Sequence, residues 1–583
     1  MKIMKKIVIL ASAILLFASC SDFLQRDPDA KLNSETYFAN ETALQTYING
    51  FINSYTPTSA LAREDGSDII AVTRTAYYID EWNPNVQGGW SSSDWNAIYN
   101  INYFLVHLRD VPGLSEATYN HYEATGRFWR ALQYWNKVRT FGGVPYYFAP
   151  IDADDEEMLY KPRDSREVTM QYILDDLNFA CENLSTDSKW VNNANISRYI
   201  ALAIKSRICL FEGTYRKYHA TNPETGSAWT ANEANKYLTE AADAAQKLMA
   251  TGRYSIATDY RGLFTKEAPS YTEGIWFHQY NTAAAHTHDL TWYFTSGSMG
   301  SKWSGDQDFI QSYLNLDGTP HTTTEEWAQE FQNRDKRLAA TFMPPTYTKK
   351  IAGASVTTAP DFAVTYTGYQ PIKWNIDDNA YDNASISNNS VPIIRYGEVL
   401  LNYAEAKAEL GQFTEADWNN TIAILRKNHG GITNTAYPTT ADPVLAEYYK
   451  LSDPVLLEIR RERAIELVFE GHRVNDLMRW ARADLINKQW YGLYIPEVNK
   501  SYDLNGDGTM DINVYNKADG NGGRAGTPVM ISNANGGWTL ENGDHGRLMY
   551  NLERKFTEKR YLHPIPAAAI VLNPNLEQNA AWK

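Results

Sequence analysis

The distribution of helical spacing along this chain of 583 residues is the feature that most limits its fold. Apolar side chains recur at helical intervals over residues 41–252 and again over residues 393–490. Residues 253–392 are instead rich in Gly, Pro, Thr, Ser, Asn and aromatic side chains, with only short alternating runs. Residues 491–583 are again rich in Gly and Asn. We therefore predict a mainly α-helical scaffold that holds an inserted loop-rich region with small β elements and ends in a loop-rich C-terminal region.

Turn residues and capping signals place the individual helices. The stretch Tyr119 to Thr140, for example, is followed by Gly142-Gly143 with Pro145 beyond, which is a normal helix exit. The string from residue 408 to 416 resembles the turn between the two helices of a tetratricopeptide unit. Together the patterns predict a strand within residues 274–280 and helices within residues 41–55, 95–108, 119–140, 166–184, 197–211, 231–250, 396–410, 414–427 and 454–470, with one more from Gly471 to about residue 486.

The N-terminus has the order of residues found in exported lipoproteins. Three lysines precede an apolar run over residues 7–17, which is shorter than the roughly 20 residues of a membrane-spanning helix. The string Phe17-Ala18-Ser19-Cys20 resembles a bacterial lipobox. We predict a signal peptide over residues 1–19, lipidation of Cys20, and a polar tether over residues 20–40. Acyl chains on that cysteine would anchor the mature protein to a membrane.

Charge and cysteine content exclude several classes of protein. The net charge is −15, and removal of the signal peptide takes away three lysines and no acids, which leaves −18. Nucleic-acid binding is not expected, because phosphate contacts need clustered Lys and Arg. The two remaining cysteines, Cys181 and Cys209, lie in helix-like apolar patterns and are predicted to be buried free thiols. A disulfide between them is the alternative.

Several ordered motifs run through almost the whole mature chain. They are Cys20-Ser21-Asp22-Phe23-Leu24, Phe141-Gly142-Gly143-Val144-Pro145, the run from Ile394 to Ala406, the run from Ile459 to Leu467 with Glu470-Gly471-His472-Arg473 and Asp476-Leu477, and Tyr561-Leu562-His563-Pro564-Ile565-Pro566 with Asn573-Pro574-Asn575-Leu576. Their content and order resemble the SusD/RagB family of outer-membrane nutrient-binding lipoproteins.

The resemblance implies a fold, a location and a function. SusD-like proteins are mainly α-helical, with four tetratricopeptide-like helix pairs that hold an irregular second region. They are lipid-anchored at the cell-surface face of the outer membrane, where they cover a SusC-like TonB-dependent barrel. They bind a nutrient, usually a glycan, and pass it to that barrel, and they are not enzymes. RagB-like relatives handle peptides instead.

A string of charged residues near the C-terminus invites an acid-base interpretation. Because the family motif assigns these residues to the scaffold, we instead predict a network of ion pairs that holds adjacent helices. The residues are Glu458, Arg461, Glu462, Arg463, Glu466, Glu470, Arg473 and Asp476.

A glycan site needs flat aromatic rings beside hydrogen-bonding side chains. The chain has 39 Tyr and 17 Trp, whose rings suit partly solvated surfaces because each also carries a polar OH or NH group. Two stretches, 65–96 and 276–303, combine these aromatics with polar residues. The predicted ligand-binding residues are Asp68, Arg74, Tyr78, Trp82, Trp90, Asn96, Trp276, Trp292, Tyr293 and Trp303. The alternative role for the aromatics is loop packing or contact with the partner barrel.

A second motif resembles a calcium loop. Oxygen-bearing side chains stand at alternate positions, followed by a glycine and by a further acid at the ninth position. The predicted ligands are Asp503, Asn505, Asp507, Thr509 and Asp511. Val514 stands where a complete loop would carry its bidentate glutamate, so a solvated turn rich in Asp and Asn is the alternative. No other cofactor is predicted.

An enzymatic function has no support in the sequence. There is no nucleophile elbow and no phosphate-binding loop. The leading hypothesis is a surface glycan-binding lipoprotein that captures oligosaccharide or polysaccharide by aromatic stacking and hydrogen bonds and delivers it to a SusC-like transporter. The alternatives are a RagB-like peptide-binding lipoprotein and, from another class, a surface glycoside hydrolase.

Overall fold

The structure is a computed structural model that describes residues 38–54, 62–73, 81–187, 190, 195–268, 270–297, 302–323 and 326–583. The predicted signal peptide, Cys20 and most of the predicted tether lie outside the described residues. The described chain is mainly α-helical with small sheets, which confirms the predicted fold class. No helix within it is long and apolar enough to cross a membrane.

The helices fall into a set of long ones and a set of short ones. They are α1 (Glu41–Asn49), α2 (Ser92–His107), α3 (Glu116–Phe141), α4 (Glu156–Leu159), α5 (Arg166–Asn183), α6 (Arg198–Tyr218), α7 (Ala234–Met249), α8 (Gly262–Thr265), α9 (Leu290–Thr295), α10 (Gln307–Ser312), α11 (Trp327–Glu330), α12 (Lys336–Thr341), α13 (Tyr396–Glu409), α14 (Glu415–Asn419), α15 (Ile422–Asn428), α16 (Pro443–Tyr449), α17 (Pro454–Leu467), α18 (Arg473–Arg479) and α19 (Ala567–Leu572).

The strands form one larger sheet and three two-stranded ribbons. They are β1 (Ile70–Ala71), β2 (Gly274–His278), β3 (Ser304–Gly305), β4 (Thr348–Ile351), β5 (Ala354–Thr357), β6 (Val391–Arg395), β7 (Trp490–Ile495), β8 (Lys500–Tyr502), β9 (Ile512–Asn516), β10 (Thr527–Ile531), β11 (Gly537–Leu540) and β12 (Gly546–Asn551). The ribbons pair β1 with β3, β2 with β6 and β4 with β5, all antiparallel.

The long helices of the N-terminal half pack side by side around one apolar core. Each of α3 and α5 begins at a serine, Ser115 or Ser165, whose side chain accepts a hydrogen bond from a backbone amide of the first turn. Helices α6 and α7 come unusually close at Gly213, where a Cβ atom would lie 2.7 Å from the Cγ of Leu238. The glycine therefore permits a backbone approach that alanine would block.

The middle and C-terminal regions share a second apolar core. Strands β2 and β6 lie at the two ends of the middle region and pair with each other, so the chain leaves and re-enters the helical scaffold at one place. Buried side chains of the middle region, such as Phe342 and Trp374, belong to the same core as Trp490 and Leu548 of the C-terminal sheet. The two regions are therefore one body, although the sequence predicted them as separate loop-rich segments.

The C-terminal region contains a six-stranded sheet, where the sequence predicted loops. The strand order is β7-β12-β11-β10-β9-β8; β9, β10 and β11 run parallel, and the other neighbours are antiparallel. Its strands are three to six residues long and are separated by Gly- and Asn-rich turns. Such short strands give little alternating pattern in the sequence, which is why this prediction was wrong.

The predicted network of ion pairs is confirmed at the centre of the molecule. Arg337 donates to Asp335, Glu462 and Glu466, with Nη1 of Arg337 2.7 Å from Oε2 of Glu466. Arg395, at the end of β6, donates to Glu466 and Glu470 and also to Glu273. These pairs tie α12, β6 and α17 together in the interior.

Most predicted helix bounds agree with the structure to within about three residues. The helix predicted over 197–211 instead runs to Tyr218, and the one predicted from Gly471 to about residue 486 is α18 followed by a 3₁₀ turn over Ala483–Asn487. The predicted helix over 414–427 is two short helices, α14 and α15, and the one predicted over 454–470 ends at Leu467. Phe469 follows in the left-handed region, with φ of 59°. This backbone conformation ends the helix before the predicted glycine stop. The first predicted helix stops at Asn49 and continues as a short 3₁₀ turn.

Candidate functional site

Two of the cavities in the described part of the chain bear on the choice of a site. The smaller has a volume of about 470 Å³ and is called here the Trp82 cavity. Its lining residues are Arg63, Asp65, Trp82, Arg139, Thr140, Gly471, Val474, Asn475, Met478, Arg560, Tyr561 and His563. It combines an aromatic ring, amide and hydroxyl groups and charged side chains, which is the mixture expected of a sugar site.

The Trp82 side chain forms one wall of this cavity and is half-buried. Its ring centroid lies 4.0 Å from that of His563, and the guanidinium carbon of Arg560 lies 4.7 Å from it. A ring held on a cation and an imidazole has a fixed orientation, and cation–π contact of this kind contributes about 0.5–2 kcal/mol. Trp82 is therefore a rigid platform.

His563 is neutral in this environment. Burial, and then the nearby cations of Arg560 and Arg139, lower the pKa of His563 to about 4. Its Nδ1 lies 2.8 Å from Nε2 of Gln87, so the amide donates and the ring nitrogen accepts. At neutral pH this histidine adds no charge to the cavity.

Asp65 joins the two stretches that the sequence singled out. Its Oδ1 accepts a hydrogen bond of 2.6 Å from Nε1 of Trp303, and its Oδ2 accepts one of 2.8 Å from Nε of Arg63. The backbone brings these segments together, because β1 and β3 pair with Ile70 opposite Gly305. Residues 65–96 and 276–303 thus meet at one place, as a shared ligand site requires.

Trp292 and Tyr293 lie on the short helix α9, near this junction. Both are half-buried, and their ring centroids are 5.8 Å apart. Tyr293 in turn lies 6.1 Å from Trp303, whose indole bonds to Asp65. The three rings form an aromatic group next to the Trp82 cavity, and two of them keep part of their surface in solvent.

Trp90 and Asn96 are two further predicted residues of the stretch 65–96. Trp90 is half-buried, and its ring lies 5.1 Å from Phe141, which is 6.0 Å from His563. Asn96 is exposed on α2. Trp90 therefore continues a line of aromatic rings from Trp82, whereas Asn96 stands apart on the helix surface.

Three predicted ligand residues are buried, which corrects their assignment. Trp276 has no exposed surface and packs 5.8 Å from Trp129 in the helical core. Asp68 is also fully buried, and both of its oxygens accept hydrogen bonds of 2.7 Å from Arg473. Trp303 is 4% exposed and contributes only its indole N–H, to Asp65. A buried ring cannot stack on a sugar, and the carboxylate of Asp68 is held by Arg473, so none of the three is placed to contact ligand. Arg74 and Tyr78 lie outside the described residues.

Several lining residues were missed by the sequence predictions. They are Arg139 at the end of α3, Asn475 on α18, and the C-terminal residues Arg560, Tyr561 and His563. The last two belong to the C-terminal motif that carries part of the family resemblance. No local signal marks them as a group, because positions 139, 475 and 560 are brought together only by the fold.

The larger cavity, of about 780 Å³, contains none of the described ligand candidates. Its charged lining residues are already paired: Arg461 with Asp442 and Glu458, Arg426 with Glu458, and Lys488 with Asp306 and Asp308. The charges here serve the scaffold, and the Trp82 cavity is the better candidate site.

The calcium-loop motif folds as a tight turn between β8 and β9. Oδ1 of Asp503 accepts the backbone amide of Gly506 at 2.7 Å, and its Oδ2 accepts that of Gly508 at 2.7 Å. Burial, together with the neighbouring Asp503 and Asp507 carboxylates, raises the pKa of Asp511. Calcium binding stays a prediction.

Among the described residues, one set of three metal-ligating side chains has all its ligand atoms within 4.8 Å of one another: Glu273, His429 and Glu466. His429 bridges the two carboxylates, with Nδ1 2.9 Å from Glu466 and Nε2 3.1 Å from Glu273. Although burial opposes it, the two carboxylates raise the pKa of His429 to about 9. A protonated imidazole donates at both nitrogens, so this cluster is a buried ion triplet that needs no metal.

Comparison with known families gives two matches that together span most of the chain. Residues 272–582, more than half of the 583 residues, match the model of the SusD family. Residues 22–210 match a family described as starch-binding and associating with the outer membrane.

Relatives and solved structures agree with these matches. SusD-like protein P25 of Formosa agariphila is 22% identical over 538 residues, covering 84% of this chain and 93% of the relative. A SusD-like protein of Bacteroides ovatus is 24% identical over 544 residues, covering 85% and 87%. The crystal structure of a SusD-like carbohydrate-binding protein from Bacteroides fragilis superposes with a TM-score of 0.66 at 20% identity and covers 93% of this chain and 100% of that one. This likeness establishes the fold.

Proposed function

Because the chain belongs to the SusD family, we propose that it is a cell-surface lipoprotein that captures oligosaccharide or polysaccharide and delivers it to a SusC-like TonB-dependent transporter. The observation that carries the proposal is the Trp82 cavity, where an oriented ring stands beside Arg, Asn and Tyr side chains. Sugars offer apolar ring faces and hydroxyl groups, which such a surface binds by stacking and by hydrogen bonds. The similar carbohydrate-binding protein of Bacteroides fragilis supports this class of ligand.

The test is affinity electrophoresis of the mature protein through gels that contain different polysaccharides. We expect retardation by at least one glycan, and Trp82→Ala to weaken that binding by about tenfold, the effect of losing 1–2 kcal/mol of stacking. Trp90→Ala and Trp292→Ala test the neighbouring rings in the same way. Phe148→Ala is the matched control, because Phe148 is 52% exposed but lies outside the cavity. If none of the three tryptophan variants weakens binding, the site is misplaced.

A binding role without catalysis fits the acids of the cavity. A glycoside hydrolase needs two carboxyl groups about 5–10 Å apart on either side of the scissile bond. Of the described lining residues, only Asp65 carries a carboxylate, and Arg63 and Trp303 already bond to it. Long incubation with the bound glycan should therefore release no shorter products, and any accumulation of products would contradict this role. Retention of peptides rather than glycans would favour the RagB-like alternative.

We further propose that Cys20 carries the lipid anchor, joined by the predicted tether to the described chain, which begins at Phe38. Phe38, the first described residue, packs at the C-terminal end of α2, 5.5 Å from His107 and 6.1 Å from Tyr103. Mass spectrometry of the mature N-terminus tests the anchor: an acylated cysteine is expected, and an unmodified N-terminus at another residue would contradict it.

An exposed apolar surface is our candidate for contact with the transporter. Helix α19 presents Val571 and Leu572, which are 79% and 77% exposed. It adjoins the segments of Val86 and Tyr160, because the Ala567 amide donates to Pro84 and the Asn575 side chain to Tyr160. Other exposed apolar side chains of these segments are Phe148, Met158 and Leu159. Groups of exposed apolar side chains often mark protein–protein contacts.

The surroundings of this patch define the partner we expect. The loop before Met158 carries exposed acids at 152, 154, 155, 156 and 157, so a fitting partner is apolar with basic residues around it. We expect the double variant Val571→Asp, Leu572→Asp to abolish co-purification with a TonB-dependent barrel from solubilised outer membranes while glycan binding persists. Val444→Asp, at a 71% exposed position elsewhere, is the control. Unchanged co-purification would rule out this surface.

A further inference from the structure

His563 carries a hydrogen-bond donor at the Trp82 cavity in addition to its ring contacts. Its Nδ1 lies 2.8 Å from Nε2 of Gln87. Because an amide nitrogen only donates, Nδ1 accepts, and the proton of a neutral imidazole is then on Nε2. The ring is neutral at neutral pH, since burial lowers the pKa of His563 to about 4. The Nε2–H group is therefore a donor.

This donor has no protein partner in the described part of the chain. The hydrogen bonds of His563 there are the one from Gln87 and two of its backbone, whose amide donates to Thr140 at 2.8 Å and whose carbonyl accepts from Asn579 at 2.9 Å. The described side-chain atoms that are fully buried without a partner belong to other residues, so Nε2 of His563 retains contact with solvent. Since His563 lines the Trp82 cavity and Gln87 does not, the free nitrogen lies on the cavity side of the ring.

The surrounding contacts fix the direction of this donor. The ring of His563 lies next to two other rings, with centroids 4.0 Å from Trp82 and 6.0 Å from Phe141. Its backbone is held by Thr140 and Asn579, and the Asn579 side chain also donates to the backbone oxygen of Phe141 at 2.9 Å. A donor that is held in place before a ligand arrives loses little freedom on binding.

We propose that His563 contacts the ligand directly, with its Nε2–H donating to an oxygen of the sugar that stacks on Trp82. The proposal rests on the proposed function. Because the donor is neutral, the matching group on the glycan is a neutral acceptor: a hydroxyl, a ring oxygen or an acetamido carbonyl. The 4.0 Å between the two ring centroids is less than the width of a pyranose, so one sugar can contact both residues. Gln87 is a positioning residue, since it acts through the tautomer of His563.

The first experiment determines the tautomer without any glycan. Nitrogen-15 NMR of the imidazole groups of the mature protein at pH 8 distinguishes a protonated ring nitrogen from an unprotonated one, and His563→Phe assigns the signals. We expect the proton on Nε2 in the native protein and on Nδ1 in Gln87→Glu, because a carboxylate only accepts. The ring stays mostly neutral at this pH, since its pKa starts from about 4. A proton on Nδ1 in the native protein would overturn the proposal.

The second experiment measures glycan binding by isothermal titration calorimetry. The probes are maltohexaose, laminarihexaose, xylohexaose and mannohexaose, and the tightest binder is used for the variants. If none of them binds, the polysaccharide that most retards the native protein in affinity gels takes their place.

Three variants test the hydrogen bond itself. His563→Phe keeps an aromatic ring against Trp82 but has no N–H group, and should weaken binding by about five- to tenfold. His563→Gln can place an amide N–H near the position of Nε2 and should restore part of that affinity. Gln87→Glu should weaken binding about as much as His563→Phe, because Nε2 then accepts instead of donating.

Two control variants separate the hydrogen bond from packing and charge. His107→Phe is matched to His563→Phe, because the His107 ring also packs on an aromatic ring, 4.4 Å from Tyr103, but lies outside the cavity. Asn85→Asp makes the same amide-to-carboxylate change as Gln87→Glu at an exposed side chain two positions away. Both should bind glycan as the native protein does, and thermal melting checks that every variant is folded.

The outcomes separate this proposal from the function on which it rests. Weaker binding by His563→Phe and Gln87→Glu, with recovery in His563→Gln, supports the donor. If His563→Phe binds as tightly as the native protein, or if His107→Phe loses as much affinity, the proposal is overturned while glycan capture stands. If the folded native protein binds no glycan at all, the proposed function fails, and the proposal fails with it.

Discussion

The arginines at the centre of the molecule and those around the Trp82 cavity differ in what faces them. In the centre, Arg337 and Arg395 are fully buried, and each donates to three carboxylates. At the cavity, Arg63 shares one carboxylate and Arg139 bonds to an amide oxygen. An arginine side chain thus lies in the interior with several carboxylates in one place, and at Arg63 it is 57% exposed beside a single carboxylate.

Solvation explains the difference. A buried guanidinium loses its water and needs full pairing, because one uncompensated charge in the interior costs several kcal/mol. The guanidinium of Arg63, with 57% of its side-chain surface exposed, keeps part of its hydration and needs less pairing. Removing a charge at the centre should therefore cost far more stability than removing the charge of Arg63.

The largest effect is expected from removing a carboxylate at the centre. Glu466→Gln leaves Arg337, Arg395 and His429 with one carboxylate fewer, and we expect a loss of about 3–5 kcal/mol in the free energy of unfolding. Equilibrium unfolding in urea measures it. Glu447→Gln, on an exposed pair with Lys450, is the control and should leave the unfolding midpoint almost unchanged. Equal stability of the two variants would contradict a structural role for the network.

A second, pH-dependent effect should come from His429. Its folded pKa of about 9 lies above the ordinary value of 6.5, so its stabilising contribution is complete below pH 6.5 and is lost as pH rises to 9. The difference corresponds to about 3 kcal/mol at 1.36 kcal/mol per pKa unit. Urea unfolding between these pH values should show a steeper loss for the native protein than for His429→Gln.

Other groups titrate in the same interval, so the comparison with the variant is essential. Burial raises the pKa of Glu64 to about 8 and lowers that of Lys373 to about 8, and both groups remain in His429→Gln. The difference between the two proteins therefore isolates the histidine. Parallel pH curves would show that His429 is not protonated between its two carboxylates.

The loop of residues 503–511 offers a third arrangement, in which carboxylates stand together without an arginine among them. If calcium supplies the missing positive charge, excess EDTA should lower the melting temperature of the protein by a few degrees. Asp503→Asn, which removes one ligand charge, should melt like the EDTA-treated protein with or without chelator. An unchanged melting curve of the native protein in EDTA would favour the solvated turn.

The smallest effect should come from the cavity itself. Arg63→Gln removes an ion pair whose arginine is largely solvated, and such pairs contribute at most about 1 kcal/mol to stability. Arg337→Gln, by contrast, should destabilise about as strongly as Glu466→Gln. Urea unfolding of the two arginine variants measures the contrast directly, and a large loss at Arg63 would show that the cavity arginines belong to the scaffold.

The position of the long helices could be predicted because helical spacing and caps are local. Ser115, Ser165 and the Gly142-Gly143 exit set the ends of α3 and the start of α5 within a few residues. The six-stranded sheet could not be predicted from the sequence, because its strands are short and β7 pairs with β12, some fifty residues later. The residue pattern within one strand does not show which distant strand pairs with it.

The residues of the candidate site were likewise predicted in part and missed in part. Residue type pointed to Trp82, Trp90, Trp292 and Tyr293, which keep part of their surface exposed, but also to Trp276, which the fold buries completely. A tryptophan suits a core and a sugar platform equally well, so composition alone cannot separate the two uses. Arg139 and Arg560 went unnoticed, since no local pattern connects positions 421 residues apart.

The sequence by itself determined the family and the helical scaffold, since both follow from contiguous motifs, and it marked residues 458–476 as ion-paired. Only the tertiary structure decided which aromatics face solvent, which regions share a core, and which arginines surround the Trp82 cavity. The physical reason is that burial and charge compensation depend on distant neighbours: Asp65 meets Trp303 across 238 positions, and Arg337 meets Glu466 across 129.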